Sequence, residues 1–275
     1  SRGLGDVYKR QLNACVIGSS GSGKTRFWLT PQLLQAHSSY VVVDPKGGVL
    51  GQIGAFLQKR GYKIKVFNSI DFSKSMHYNP LAYIRNEADI LKFVDALISN
   101  TKGEGKEGDP FWTKSETLLY CALIAYIIFE GPAEDRNMNT LVDMISGMEV
   151  KEDDEDFMNA VDYMFAGLEK RKPDCFAVKQ YKKYKLASGK TAKSILISAA
   201  VRLAPFNLPQ IKAITDHDDM DLYTLGEKKC ALYAVIPDND TTFNFLVSLL
   251  YSQIFQALYY CACLLYTSDA ADDLT

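Results

Sequence analysis

Eight consecutive residues have the types and spacing of a phosphate-binding loop. They fit the pattern G-x-x-x-x-G-K-[ST] and are Gly18, Ser19, Ser20, Gly21, Ser22, Gly23, Lys24 and Thr25. Glycines let backbone N–H groups curl around phosphate oxygens, and the N-terminus of a following helix adds partial positive charge. In this chemistry Lys24 reaches the β- and γ-phosphates, and the Thr25 hydroxyl binds Mg²⁺. The motif therefore predicts a nucleotide site made by these eight residues.

The residues around this loop have the pattern needed to position it. The apolar run 13–17 predicts a buried strand that leads into the loop, and residues 25–35 predict the helix that leaves it. Further strands are predicted at 40–44 and 62–67, with a helix over 49–60 between them. β-Branched strands that alternate with helices are typical of a mainly parallel sheet with helices on both faces. We predict an α/β fold of the P-loop NTPase type.

Helical periodicity dominates the middle of the chain. The predicted helices cover residues 89–99, 111–129, 138–148, 156–170, 180–186 and 191–203. A buried strand at 230–236 and a helix at 242–262 then resume the earlier pattern. The sequence thus predicts an NTPase core in two parts, 12–85 and 225–262, interrupted by an all-helical domain at 86–224.

Both ends of the chain look like translated sequencing adaptor. Residues 1–11 can be encoded by a transposase-type library adaptor, and residues 263–272 by the reverse complement of its partner. Such segments are set aside before a fold is considered. We therefore expect 1–11 and 263–275 to be artefacts that flank a piece of a longer protein.

The amino-acid composition excludes few classes of function. A net charge of −2 at pH 7 over 275 residues neither favours nor excludes nucleic acid as a partner. The cysteines have no C-x-x-C spacing and are expected to be reduced thiols. The three histidines, His37, His77 and His217, show no ligand-like spacing, so no metal site is predicted from them. The apolar stretch 243–262 is long enough to cross a membrane, but its polar residues favour a buried core helix.

A P-loop NTPase also needs a carboxylate at the end of a neighbouring strand, where it holds Mg²⁺, often beside a second acid. No apolar run in this sequence ends in Asp-Glu. Asp44 is the strand-end acid near the loop, and Pro45 follows it. Two interpretations stay open: Asp44 is a magnesium ligand, or, as we favour, it caps a turn beside the nucleotide. Both assign Asp44 to the nucleotide site.

Three other features have a functional and a plainer interpretation. Residues 170–193 hold nine basic residues, one acid and the tyrosines Tyr181 and Tyr184, so DNA could run along them with bases stacked on the rings. The alternative is a solvated helix face. The Phe111–Trp112 pair opens the longest apolar helix, which predicts core packing. Arg202 is either an arginine acting on a neighbouring subunit or, as we prefer, an ordinary surface residue.

Six stretches in order resemble the TraG/TraD-like coupling ATPases of type IV secretion and conjugation. They are 18–25, Asp44-Pro45-Lys46-Gly47, Tyr78-Asn79-Pro80, Asp109-Pro110-Phe111-Trp112, 191–198, and Ile236-Pro237-Asp238 with the helix behind it. The resemblance implies a RecA-like motor domain interrupted by an all-helical domain. It implies ATP and Mg²⁺ as ligands, with Gly23, Lys24 and Thr25 in the P-loop roles. Gly48 departs from the family, which usually has an acid there.

The resemblance also implies partners that this chain does not itself contain. The family forms hexamers with nucleotide at subunit interfaces. N-terminal transmembrane helices hold these proteins at the cytoplasmic face of the plasma (inner) membrane, and they pass DNA, often with a relaxase, into a secretion channel. The family's Asp-Glu strand lies just after the helix that ends near residue 262. We therefore expect this soluble piece to bind ATP weakly and to hydrolyse it poorly.

Three alternatives to a conjugative motor remain. Another hexameric P-loop translocase would pump DNA without a secretion channel. A GTPase should carry Asn-Lys-x-Asp, which does not occur here, and a small-molecule kinase leaves the helical insertion unexplained. A non-catalytic protein would use the nucleotide only as a structural ligand.

Overall fold

The described part of this chain is built on a three-stranded parallel sheet. The structure, a computed structural model, describes residues 14–101, 110–151, 157–187 and 189–272, with side chains as far as Leu264. The strands are β1 (Tyr40–Pro45), β2 (Lys63–Asn68) and β3 (Cys230–Ile236), in the spatial order β1-β3-β2. The last strand in sequence is therefore the central one, paired along both edges.

Helices make up most of the remaining described residues. A π-helix, Thr25–Leu29, continues directly as α1 (Thr30–Leu34). The others are α2 (Gly48–Lys59), α3 (Glu87–Asn100), α4 (Pro110–Phe129), α5 (Met138–Ser146), α6 (Ala160–Arg171), α7 (Phe176–Tyr184), α8 (Gly189–Leu203), α9 (Pro209–Ile214), α10 (Thr224–Glu227) and α11 (Asn244–Asp272). Most of the predicted helices and strands are present, with ends shifted by a few residues.

The central strand β3 separates two apolar clusters. Alternate residues Ala231, Tyr233 and Val235 face a smaller cluster that includes Leu33 of α1 and three buried residues of α2. Leu232, on the other side of β3, faces a much larger cluster built mainly by helices. Alternation along a strand places successive side chains on opposite faces. The predicted α/β class, with a parallel sheet covered on both faces, is confirmed.

The helical segment shares its core with one face of the sheet. Helix α4 is buried along most of its length and packs against α3, α7 and α8. Its apolar side chains belong to the same cluster as Phe67 of β2 and Leu232 of β3. The interior is thus continuous from the helices to the sheet. The domain limits at residues 85, 224 and 262 stay a prediction.

Helix α11 is apolar and long, and it packs in the interior. Among the described residues, Asn244–Leu264 is the one stretch with the length and composition to cross a membrane, and half of its most apolar window is buried in the fold. It packs against α3 and α10, and its Gln253 amide donates to the Pro80 carbonyl at 2.7 Å. This arrangement fits the predicted core helix. The backbone stays helical through 263–272, which we expected to be adaptor; residues 1–11 lie outside the described residues.

The predicted strand at 13–17 is wrong for the residues that the structure describes. Residues 14–19 have no regular secondary structure, and the Ile17 side chain is 92% exposed. A strand forms only where a neighbour pairs its N–H and C=O groups. None of the three described strands pairs with this segment.

The prediction that Phe111 and Trp112 pack in the core is also wrong. They are 46% and 37% exposed, and their rings contact each other edge to face, with centroids 5.3 Å apart. The reason is their position, because α4 begins at Pro110 and its buried stretch begins only at Ser115.

Arg202 lies mostly inside the fold, which corrects the preferred interpretation of it as an ordinary surface residue. Its Nε donates to Oε2 of Glu116 at 2.7 Å, and Glu116 is 1% exposed. Its Nη1 donates to the Ile98 carbonyl and the Thr101 hydroxyl, both at 3.2 Å. The Ser198 hydroxyl also donates to Glu116. Arg202 therefore joins α8 to α3 and α4 and is not an ordinary surface residue, while action on a neighbouring subunit stays a prediction.

Replacing Arg202 should destabilise the fold. We expect Arg202→Ala to lower the free energy of unfolding by about 3 kcal/mol or more, because Glu116 would remain as a buried charge without its partner. Urea unfolding followed by circular dichroism measures this. Arg171→Ala, at an exposed position on α6, is the matched control and should change stability by less than about 0.5 kcal/mol. Wild-type stability of Arg202→Ala would contradict the buried ion pair.

Candidate functional site

The phosphate-binding motif forms an exposed loop in front of the π-helix. Gly21 and Gly23 have φ angles of +76° and +84°, which is backbone that favours glycine. The Ser22 N–H donates to the Ser19 carbonyl at 3.3 Å, and the Phe27 N–H donates to the Gly23 carbonyl at 2.8 Å. A Cβ on Gly23 would lie 2.4 Å from the Phe27 ring. The glycines are therefore required by the way the loop turns into the helix.

Lys24 closes this loop on itself. Its Nζ donates to the Gly18 carbonyl at 2.6 Å and to the Ser19 carbonyl at 2.8 Å. Lys24 and Thr25 are both exposed, and the helix behind them opens with π-type hydrogen bonding, which is often seen at functional sites. The carbonyls hold the ammonium beside the loop glycines. These residues fit a nucleotide phosphate with Mg²⁺, because an exposed cation, a glycine turn and a helix N-terminus meet here.

Asp44 caps the helix that follows β1. Its Oδ1 accepts the Val49 N–H at 3.0 Å and its Oδ2 accepts the Leu50 N–H at 2.7 Å. The carboxylate is almost fully buried, with 1% exposed. This geometry matches the capping interpretation, since both oxygens already satisfy N–H groups at the N-terminus of α2. A role as magnesium ligand would compete with these hydrogen bonds.

Two of the stretches that carry the family resemblance meet at the carboxyl ends of β1 and β3. Lys46 Nζ is 2.6 Å from Asp238 Oδ2, and this hydrogen bond, with the carboxylate charge, raises the pKa of Lys46. Lys46 and Gly47 both have positive φ, +68° and +73°. The sequence alone does not indicate this pair, because 192 positions separate the two residues. Ligands of parallel α/β sheets bind at this edge.

Gly48 begins α2 at the same edge. Apart from the adjoining residues and the backbone of its own helix, no atom lies within 4 Å of the position that a Cβ would occupy there. The acid that the family usually has at this point would therefore fit the fold without a steric conflict.

The tyrosines of the basic segment 170–193 are not available for stacking on bases, so that hypothesis is wrong. Tyr181 and Tyr184 are 5% and 3% exposed. Tyr181 stacks on Phe165 with ring centroids 3.9 Å apart and donates its hydroxyl to Asp162 at 2.8 Å. Burial raises the pKa of Tyr184 to about 12. Their spacing follows the buried face of α7, which explains why they alternate with lysines.

The lysines of this segment are exposed, and at least four of them form ion pairs with described residues. The pairs are Lys172–Glu130, Lys179–Asp174, Lys182–Glu169 and Lys185–Asp162. Lys183 and Lys190 are also exposed. A contact with DNA through charge alone stays a prediction.

The fold brings together two of the three histidines, which their spacing in the sequence did not predict. A ring nitrogen of His77, one of His217 and a carboxylate oxygen of Asp219 all lie within 4.8 Å of one another. His77 and Asp219 are 142 positions apart. The cluster forms because the fold brings together two loops that are far apart in the sequence.

A parallel α/β sheet and an exposed G-x-x-x-x-G-K-T loop ahead of a helix define a P-loop nucleotide-binding protein. The chain belongs to the type IV secretory system conjugative DNA transfer family, whose sequence profile matches residues 3–263. This confirms the resemblance to the TraG/TraD-like coupling proteins.

Two curated relatives are type IV secretion system-coupling proteins called VirD4. The one from Bartonella henselae is 28% identical over 143 residues, which is 48% of this chain and 22% of that protein. The one from Bartonella quintana is 26% identical over the same length and share of each chain. The alignment thus covers about a fifth of the length of these relatives.

Solved structures of the bacterial conjugative coupling protein TrwB have a similar fold. The unbound form of TrwBdeltaN70 gives a TM-score of 0.58 at 18% identity, over 87% of this chain and 49% of that one. TrwB in complex with ADP and Mg²⁺ gives 0.56 at 18% identity, over 87% and 50%. TrwB with a non-hydrolysable ATP analogue gives 0.57 at 17% identity, over 87% and 51%. The similarity confirms the RecA-like α/β core.

The two interpretations of Asp44 make different predictions. If it is a cap, Asp44→Ala should lower the free energy of unfolding by about 1–2 kcal/mol, because two N–H groups lose their acceptor. Urea unfolding measures this. Asp143→Ala, on an exposed part of α5, is the control and should change stability by less than about 0.5 kcal/mol. Unchanged stability, with loss of Mg²⁺-dependent ATP affinity, would instead support the magnesium ligand.

Proposed function

We propose that this chain is the nucleotide-binding part of a coupling ATPase that uses ATP hydrolysis to drive DNA, with a bound relaxase, into a type IV secretion channel. The observation that carries the proposal is the exposed P-loop, with Lys24 held beside its glycines, in a chain that belongs to the conjugative DNA transfer family. The TrwB structures with ADP and Mg²⁺ and with an ATP analogue support a nucleotide at this loop.

Each residue of the loop would make a different contact with MgATP. Lys24 would leave the Gly18 and Ser19 carbonyls and neutralise the β- and γ-phosphates. The N–H groups of the loop, freed from side chains by Gly21 and Gly23, would donate to phosphate oxygens. The Thr25 hydroxyl would hold Mg²⁺, which supplies charge stabilisation to the transferring phosphoryl group when bound. Asp44 would keep the start of α2 in place beside the nucleotide.

The proposal extends to the longer protein. It would assemble as a hexamer with nucleotide at the subunit interfaces, and transmembrane helices would hold it at the cytoplasmic face of the inner membrane. ATP hydrolysis needs an acid pair at a strand end, and this sequence has no such strand. The chain by itself would therefore bind ATP weakly and hydrolyse it poorly.

Two other functions differ from this one in what they require. A hexameric P-loop translocase without a secretion channel would have the same nucleotide site, and conjugation assays on the longer gene separate the two. In a non-catalytic protein, the nucleotide would only stabilise the folded structure. DNA transfer would then survive the loss of Lys24.

Lys24→Ala should strongly weaken nucleotide binding and leave the fold intact. We expect the affinity for MgATP to fall at least tenfold, because the charge that neutralises the phosphates is lost. Isothermal titration calorimetry with a non-hydrolysable ATP analogue measures this. Lys59→Ala, at an exposed position at the end of α2, is the matched control and should keep wild-type affinity. Equal affinities for Lys24→Ala and wild type would contradict the nucleotide site.

Contact of the basic segment with DNA should depend on charge and not on the tyrosines. For single-stranded DNA, replacing Lys183 and Lys190 by alanine should make the slope of log K against log salt concentration shallower by about 1.4. This is roughly 0.7 for each lost phosphate contact. Fluorescence anisotropy at several salt concentrations measures the slope. Tyr181→Leu, which removes the aromatic ring, should bind DNA like the wild type, since the ring is buried. A loss of affinity in Tyr181→Leu alone, with the fold intact, would revive the stacking hypothesis.

A further inference from the structure

His77, His217 and Asp219 are spaced like the ligands of a metal ion. The His77 Nδ1 is 2.8 Å from the Asp219 Oδ2, and the His217 Nε2 is 3.6 Å from the same oxygen. In a tetrahedral zinc site, bonds of about 2.1 Å place the ligand atoms roughly 3.4 Å apart. The two distances lie on either side of that spacing. Small side-chain movements would therefore place all three atoms around one ion.

Asp216 orients the ring of His217. Its Oδ1 lies 2.5 Å from the His217 Nδ1, so this nitrogen carries a proton and donates it to the carboxylate. The opposite nitrogen, Nε2, then presents its lone pair towards Asp219. A carboxylate behind a histidine is the usual partner of a metal-binding imidazole, because it fixes the tautomer and the ring. A cation between Nε2 and the Asp219 oxygen would also offset the electrostatic repulsion between these two atoms, because both direct lone pairs at the same space.

The backbone that carries these side chains is already held in place. The Asp219 N–H donates to the His77 carbonyl at 3.0 Å, and the Tyr78 N–H donates to the Ile214 carbonyl at 2.7 Å. The two imidazole rings lie 3.8 Å apart with a 30° tilt. The His217 side chain is 54% exposed, so its ring can shift towards an ion while Nδ1 keeps its hydrogen bond to Asp216. Binding would require side-chain movement and the release to solvent of the His77 Nδ1 proton, which now makes a hydrogen bond to the Asp219 carboxylate.

The ligand set selects the class of ion. Two imidazole nitrogens and one carboxylate suit Zn²⁺ and similar borderline ions, whereas Mg²⁺ and Ca²⁺ prefer oxygen ligands. Three protein ligands leave a fourth position for water. The side chains are between 36% and 54% exposed, so an ion can reach them from solvent.

We propose that His77, His217 and Asp219 bind a divalent ion of the zinc class, with Asp216 holding the ring of His217. The site is independent of the proposed nucleotide function. His77 follows β2 and precedes α3, while the other residues follow α9 and precede β3. The ion thus ties the chain together where it leaves the sheet for the helices and where it returns, closing a loop of 142 positions. Closing such a long loop lowers the entropy of the unfolded chain.

Calorimetric titration with ZnCl₂ tests the proposal. The protein is the full 275-residue chain treated with chelator, with the exposed thiols removed as Cys15→Ser and Cys263→Ser. We expect one equivalent of Zn²⁺ to bind, and His77→Ala or His217→Ala to weaken binding at least tenfold. His37→Ala is the matched control, because the third histidine contacts Tyr40 instead, and it should bind like the parent.

A second variant covers the case in which the alanine variants do not fold. Asp219→Asn keeps the size of the side chain and the backbone hydrogen bond to His77, and it should also weaken Zn²⁺ binding at least tenfold. Zn²⁺ should raise the melting temperature of the parent and not that of Asp219→Asn. Absence of Zn²⁺ binding in the parent, or equal affinity in parent and Asp219→Asn, would overturn the proposal.

Discussion

The pairing of β3 between β1 and β2 is the constraint on which the rest of the structure depends. Among the described residues, β1 and β2 form no ladder with each other, and both pair only with a strand that follows the whole helical segment. The chain must therefore return from its helices before the sheet exists. This return puts Leu232 against the helical core and Tyr233 against α1 and α2. It also brings the loops that carry His77 and Asp219 side by side.

The same pairing builds the edge at which a nucleotide would bind. Parallel strands place their carboxyl ends together, so the turn after β1 meets the turn after β3. At that edge, the Asp44 carboxylate accepts a hydrogen bond from an N–H group at the start of α2, and Lys46 forms an ion pair with Asp238. The phosphate-binding loop contributes the cation and the glycine turn. Its own segment, 14–19, is not part of the ladder, so the sheet and the loop are joined through α1 and its packing.

Local patterns were enough to predict the P-loop, the class of fold and most helices. The motif is contiguous, and periodicity reports which face of an element is buried. What the sequence could not show depends on distant partners. Arg202 and Glu116 belong to different helices, and the His77 cluster joins two loops. Tyr181 was predicted to stack on bases because basic residues are interleaved with it in the sequence, but a buried face and a basic face alternate on α7. The prediction of a strand at 13–17 was wrong because an apolar run does not show whether a neighbouring strand is present to pair with it.

A crystal structure of this chain with Mg²⁺ and a non-hydrolysable ATP analogue tests the central claim most directly. The account predicts that the Lys24 ammonium leaves the Gly18 and Ser19 carbonyls and contacts the β- and γ-phosphates. The Thr25 hydroxyl should lie on Mg²⁺, and Asp44 should keep its hydrogen bonds to α2. A nucleotide bound elsewhere, with Lys24 still on those carbonyls, would contradict the assignment of this loop as the nucleotide site.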